Sequence, residues 1–144
     1  MPYRYREDIA TADVAFEAWG ETPADLFRSA ADATLGVMVE KPETVQAVTS
    51  VPCSLGNSAL DLLLFDFLGE LIFLKDARRL LLRPQHIAIT EIAEGWRLES
   101  ELGGEPIDPA RHQLQVDVKA VTLHRLEVVQ TDSGGWRALV VLDI

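Results

Sequence analysis

The groups best suited to binding chemistry in this sequence are carboxylates near its two ends. Asp13 opens an alternating apolar run, and Asp143 precedes Ile144, whose main-chain carboxylate closes the sequence. The final run is apolar on both faces, which predicts a central strand with its end held in the fold. If Asp13 lies beside that strand, three carboxylates form an all-oxygen cluster, which favours a hard cation, Ca²⁺ or Mg²⁺, over Zn²⁺.

Asp13 also has an ordinary structural interpretation. An Asp at the edge of a strand commonly caps a turn through its side chain, and here it follows the small residues Ala10, Thr11 and Ala12. Spacing alone therefore leaves two alternatives for Asp13, a turn cap and a metal ligand.

Lys119 is one of only three lysines and lies between two apolar runs. It is either a solvated charge at a bend or a contact to a partner. The alternation around His124 is typical of a sheet residue, and His86 and His112 lack the spacing of metal ligands. Catalysis by histidine is therefore not predicted.

Other catalytic patterns are missing from the sequence. Asp66 and Glu70 are one helical turn apart, which is typical of the solvated edge of a helix. There is no phosphate-binding glycine loop, no GxSxG motif and no Cys/His nucleophile pair, and the lone Cys53 excludes an internal disulfide. These observations argue against an enzyme.

Length and charge set further limits. The 144 residues are 48% hydrophobic and fit one domain over residues 1–144, while 23 acids against 13 bases give a formal charge of −10. Such a field repels phosphate, so direct nucleic-acid binding is not expected. The longest apolar run, residues 60–74, contains three acids, and no export signal opens the chain. We expect a soluble, cytoplasmic protein without a membrane segment.

Periodicity predicts an α+β fold with two helices packed on a largely antiparallel sheet, which could be mixed. Thr22 and Pro23 have the types expected at the start of the first helix, which should run to about residue 39. A capping box at residues 58–61 is expected to open the second helix, which should end near residue 76. The predicted strands cover residues 13–19, 45–51, 80–92, 96–101, 113–118, 121–131 and 136–144, with turns at residues 95, 103–104 and 133–135.

Five segments, in this order over nearly the whole chain, together resemble the archease family. They are residues 11–16 (TADVAF), 66–72 (DFLGELI), 104–109 (GEPIDP), 118–124 (VKAVTLH) and 140–144 (VVLDI). The resemblance implies a small α+β protein that is not a catalyst. It implies an accessory role toward an RtcB-type, GTP-dependent RNA ligase in tRNA splicing or RNA repair, through guanylylation of the ligase and its multiple turnover.

The resemblance also assigns roles to individual residues. The family's metal site falls on the side chains of Asp13 and Asp143 and on the terminal carboxylate of Ile144, with calcium as the expected cation and magnesium as the alternative. The family's ligase-activating lysine matches Lys119. One departure is Ala10, where the family often has His, and this change is expected to alter metal affinity or partner choice.

Two other functions compete with this one. The first is a chaperone or modulator of an RNA-modifying enzyme, such as a tRNA methyltransferase, which would depend on an exposed apolar surface. The second is a metal-dependent hydrolase that uses the same carboxylates, although the sequence lacks a general base and a nucleophile for it.

Overall fold

A computed structural model describes residues 2–9 and 13–144 of the protein. These residues form two α-helices, eight strands and a short 3₁₀ turn at Pro42–Thr44. In chain order the helices and strands are β1 (Tyr3–Tyr5), β2 (Val14–Gly20), α1 (Pro23–Met38), β3 (Thr49–Asn57), α2 (Leu60–Arg78), β4 (Leu80–Ile92), β5 (Gly95–Pro106), β6 (Ala120–Val121), β7 (Glu127–Gln130) and β8 (Trp136–Asp143).

The first helix begins where its capping residues predict. The Thr22 side-chain oxygen accepts a hydrogen bond of 3.1 Å from the Asp25 backbone N–H, and Pro23 occupies the first helical turn. The cap satisfies one of the N–H groups that a helix start leaves unpaired. The buried side of α1 then packs on β2 and β4.

The start of α2 corrects the prediction of a capping box at residues 58–61. Ala59 is the capping residue and offers no side-chain bond. Instead, the Asn57 side-chain oxygen accepts from the Ala59 N–H at 3.3 Å, and the Asn57 amide donates to Asp66 at 2.9 Å. The helix also runs two residues past the predicted end, to a left-handed Arg79 with φ of 56°.

The strands form two sheets rather than one, and every strand pair among the described residues is antiparallel. One sheet has the order β1-β2-β8-β6, with β7 also paired to β8; the other has the order β3-β5-β4. The prediction that the final strand is central is confirmed, because β8 pairs with β2, β6 and β7.

Three strand predictions in the middle and second half of the chain are wrong. Gly103 and Gly104, predicted as a turn, lie inside β5, where the Leu81 carbonyl oxygen approaches so closely that a Cβ on Gly104 would be 1.8 Å from it. Residues 113–118 make a single isolated bridge, Val39 with Leu114, instead of a strand. Residues 121–131 are interrupted by a turn in which Arg125 has a φ of 55°, so His124 is a turn residue and not a sheet residue.

The strand predicted at residues 45–51 begins later, at Thr49, and continues through Pro52. Pro52 cannot donate a ladder hydrogen bond, which is tolerated because β3 is the edge of its sheet and pairs only with β5. Pro52 therefore does not end this strand.

Both sheets and both helices contribute to one core. β8 supplies Val140 and Leu142 to it, and both are fully buried. Neither helix in the described part of the chain is long and apolar enough to cross a membrane. The largest fully buried side chains are Phe16, Phe27, Phe67, Leu26, Leu63, Leu64, Leu68, Leu81, Leu98 and Leu102.

Candidate functional site

The pairing of β2 with β8 brings two predicted site residues to the same end of one sheet. Val14 is opposite Leu142, and the register continues without a shift to Gly20 opposite Trp136. Asp13 directly precedes β2, and Asp143 is the last residue of β8, so the two residues lie at the same end of this strand pair.

Lys119 lies on the other side of the same strand. β6 pairs Ala120 with Asp143, and the Lys119 backbone N–H donates to the Asp143 carbonyl oxygen at 2.8 Å. The strand order β2-β8-β6 therefore places Asp13 and Lys119 on opposite flanks of Asp143.

The end of β8 is anchored by the two residues that flank Asp143. Leu142 is fully buried, and the Ile144 side chain packs against the core although it is only partly buried. Asp143, between them, is exposed. The buried and partly buried residues on either side of Asp143 therefore fix the end of the chain in the fold.

Asp13, Asp143 and Lys119 make no side-chain hydrogen bond or ion pair with any residue in the described ranges. The turn cap considered for Asp13 would involve residues 10–12, which lie outside the described residues, as does the departure at Ala10. Carboxylates that came close together at this end would repel each other, and a hard cation would relieve that repulsion.

The donor set fits a hard cation better than zinc. In the part of the chain that the structure describes, no three His, Cys, Asp or Glu side chains are grouped to hold a metal. Asp13 and Asp143 supply two carboxylates, so a third protein ligand has to come from the main chain. The terminal carboxylate of Ile144 is the group that the prediction assigns to this place, and an all-oxygen set suits calcium or magnesium.

Comparison with known proteins identifies the family. A profile described as the Archease protein family (MTH1598/TM1083) matches residues 3–144. The chain belongs to the archease family. The protein archease of Methanopyrus kandleri is 34% identical over 144 residues, which cover all of both chains, and that of Methanosarcina mazei is 34% identical over 99% of this chain and 95% of the relative.

Solved structures agree with membership of the archease family. The solution structure of protein 1598 of Methanobacterium thermoautotrophicum has 30% sequence identity and a TM-score of 0.84, and 99% of each chain is covered. A crystal structure from Thermotoga maritima, described as an archease and possible chaperone, has a TM-score of 0.63 over 98% of each chain. Its identity of 20% supports the shared α+β fold alone.

Sequence reasoning missed a buried ion-pair cluster on the same strands of this archease family member. Glu17, only 5% exposed, accepts a hydrogen bond of 2.6 Å from Arg4 and pairs with Arg6 and Arg137. Burial opposes ionisation of Glu17, but the hydrogen bonds from Arg4 and Arg6 outweigh it and hold the Glu17 pKa below its ordinary value. The alternation of Arg4 and Arg6 in the sequence was the available signal.

A second missed cluster supports the loop that leads to Lys119. Buried Glu105 pairs with Arg111 and accepts a hydrogen bond from the Gln46 N–H. Buried His112 accepts at Nδ1 from the Asp108 N–H at 2.9 Å, and its Nε2 lies 3.4 Å from Glu105. His112 thus has a structural role in the turn of residues 108–112.

Proposed function

We propose that this archease family member is a non-catalytic, metal-binding accessory protein of an RtcB-type, GTP-dependent RNA ligase. It promotes guanylylation and multiple turnover of the ligase in tRNA splicing or RNA repair. The observation that carries the proposal is the meeting of Asp13, Asp143 and Lys119 at one end of the sheet, with Asp143 in the middle.

The carboxylates of Asp13 and Asp143 and the main-chain carboxylate of Ile144 would hold the cation, for which calcium is the first choice and magnesium the second. A bound cation would supply positive charge at the exposed end of β8. The Lys119 backbone N–H is bonded to the Asp143 carbonyl at 2.8 Å, so both sources of positive charge would lie at the same end of the sheet.

The charge of the molecule supports a protein partner rather than RNA. Its formal charge of −10 disfavours contact with a phosphate backbone. The exposed end of β8 is the place where a cation and Lys119 would offset that charge locally. At the ligase, they would help to align triphosphate and metal ions for nucleotidyl transfer, in which positioning and electrostatic stabilisation dominate catalysis.

The experiment measures GTP-dependent guanylylation of a purified RtcB-type ligase with and without this protein. We expect Asp13→Ala, Asp143→Ala and Lys119→Ala each to lower the stimulated rate by at least about tenfold. Asp132→Ala and Lys41→Ala remove exposed charges from the turn at the opposite end of β8 and from the loop after α1. They serve as matched controls and should stimulate normally. Wild-type stimulation by all three site variants would refute the proposal.

A chaperone or modulator of an RNA-modifying enzyme, such as a tRNA methyltransferase, is the second candidate. It is supported by large apolar side chains that stay exposed, among them Phe73 at 59% and Leu123 at 61%. Suppression of aggregation of such an enzyme, unchanged by Asp143→Ala but lost in Phe73→Ser, would favour this function over ligase activation.

A further inference from the structure

Lys75 is a buried charge that neither the predicted site nor the core explains. It lies on α2, and its side chain is 4% exposed. The ammonium contacts three oxygens: the Asp117 carboxylate, the Val118 carbonyl at 2.7 Å and the Asp76 carboxylate at 2.9 Å. The contacts with Asp117 and Val118 are hydrogen bonds, and Asp76 adds a second carboxylate beside the ammonium.

These contacts hold one peptide group from two sides. The carbonyl of the peptide between Val118 and Lys119 accepts from Lys75, and its N–H donates to the Asp143 carbonyl at 2.8 Å. The Val118 side chain is itself fully buried. The backbone from which Lys119 projects is therefore attached both to α2 and to β8.

The chain before this peptide is bonded to the end of α1 rather than to the sheet, because the Gln115 and Val116 N–H groups donate to Met38 and Val37. After it, β6 contains only Ala120 and Val121. Burying an ammonium among apolar neighbours such as Leu71, Ile72 and Leu74 costs desolvation free energy that an apolar side chain would not. Packing alone therefore favours an apolar residue at position 75.

We propose that Lys75 is a positioning residue that fixes the Lys119 backbone beside Asp143. The inference rests on the proposed function, because it assumes that Lys119 acts on the ligase. The Lys75 side chain is only 4% exposed, so it offers almost no surface of its own to a partner. Its effect passes through the peptide that joins Val118 to Lys119.

The direct test is amide hydrogen exchange of the folded protein, followed by NMR. Lys75→Met should raise the exchange rate of the Lys119 amide about tenfold or more relative to the Thr122 amide. Thr122 is the internal reference because its N–H donates to Val141 at 3.0 Å on the same strand pair. Lys41→Met, an exposed lysine, should leave the ratio unchanged. An unchanged ratio in Lys75→Met would overturn the inference.

Two further variants keep the test decisive if Lys75→Met folds poorly. Asp117→Ala removes a Lys75 partner in the held segment, and its side chain is 70% exposed, so the fold should survive. It should raise the exchange ratio in the same direction by a smaller factor. Asp76→Ala removes the partner on α2 and should leave the ratio unchanged. Equal increases in the two Asp variants would contradict the proposed clamp.

The ligase assay tests the functional consequence separately. Lys75→Met should lower the maximal guanylylation rate several-fold at saturating accessory protein, whereas a smaller folded fraction would only raise the half-saturating concentration. If Lys75→Met gave full maximal stimulation while Lys119→Ala lost it, the positioning role of Lys75 would be overturned. The proposed role of Lys119 would stand. Wild-type stimulation by Lys119→Ala would refute the action of Lys119 itself, and the exchange ratio would still report the clamp.

Discussion

Charged residues occur at two places along strands β2 and β8, and the two places differ in whether the carboxylates are paired with arginines. In the middle of the strands, buried Glu17 is surrounded by Arg4, Arg6 and Arg137. At the end, Asp13 and Asp143 lie at the same edge and have no ion-pair partner among the described residues. Buried charges must be paired to be tolerated, whereas charges at an exposed end are available to a ligand. The middle stabilises the sheet, and the end is the candidate binding site.

The ion pairs around Glu17 extend across four strands. Arg4 on β1 is directly opposite Glu17 on β2, and Arg137 on β8 pairs with both Glu17 and Glu127 on β7. Arg6 also pairs with Asp8, and this hydrogen bond lowers the Asp8 pKa to about 2. The cluster therefore connects strands that are distant in sequence.

The largest effect is expected from Glu17→Ala, which leaves three arginines without their shared partner. We expect a loss of about 3 kcal/mol in the free energy of unfolding, measured with urea. Glu127→Ala is the control, because Glu127 is partly exposed and pairs with Arg137 alone, and it should cost less than about 1 kcal/mol. Equal losses in the two variants would remove the distinction between the buried cluster and an ordinary surface pair.

At the end of the strands, stability should depend on the cation. Free Ca²⁺ at about one hundred times its dissociation constant should stabilise the wild-type protein by about 2.7 kcal/mol, and Asp13→Ala or Asp143→Ala should abolish this gain. The measurement is thermal unfolding with and without Ca²⁺, repeated with Mg²⁺. Asp132→Ala should respond like the wild type.

A chain extension tests the third ligand of the same site. One glycine added after Ile144 converts its carboxylate to a neutral amide, so the Ca²⁺ dissociation constant should rise at least about tenfold by calorimetry. A glycine added before Met1 is the control. Equal affinity in the two extended proteins would exclude the Ile144 carboxylate from the site.

A smaller effect on the free energy of unfolding is expected from pH, because acid changes only the charge of Glu17 and leaves its side chain in place. Its pKa is lower in the folded than in the unfolded protein, so its ionised form contributes stability that is complete above the unfolded value of about 4.3. This contribution is lost as the pH falls through the folded pKa. The stability difference between wild type and Glu17→Gln, measured without cation, should shrink from pH 7 to about pH 3. A constant difference would show that charge is not what Glu17 contributes.

The smallest effect on stability is expected at Lys119. Its side chain is exposed and unpaired within the described ranges, so Lys119→Ala should change the free energy of unfolding by less than about 0.5 kcal/mol. A loss above about 1 kcal/mol in urea unfolding would assign Lys119 to the structure of the sheet rather than to a partner.

Local signals were sufficient for much of the fold. Thr22 and Pro23 marked the start of α1, β4 has both predicted ends, and the two apolar faces of β8 indicated its central place. Long-range contacts were not predictable in this way. Gly103 and Gly104 belong to a strand because the Leu81 carbonyl approaches them, and no local pattern reports that contact.

The candidate site shows the same limit. Residue types singled out Asp13, Asp143 and Lys119, but only the strand register shows that they share one end of the sheet. Glu17 and Arg137 are 120 residues apart in sequence, and Lys75 binds a carbonyl 43 residues away. Side chains whose partners are so distant have no periodic signal, so their pairing depends on the three-dimensional fold.

The central place of β8 has a consequence for the order of folding. The sheet β3-β5-β4 is complete within residues 49–106. Strand β2 can pair early with β1, but it gains β8 on its other side only when residues 136–143 are available. Contacts between such distant segments form slowly, and a chain under synthesis presents its N-terminal residues first. We therefore expect the sheet β3-β5-β4 to form early and β2 to wait unpaired on one side. The end of the sheet that carries the candidate site, where β2, β6 and β8 meet, should be the last part of the molecule to be assembled.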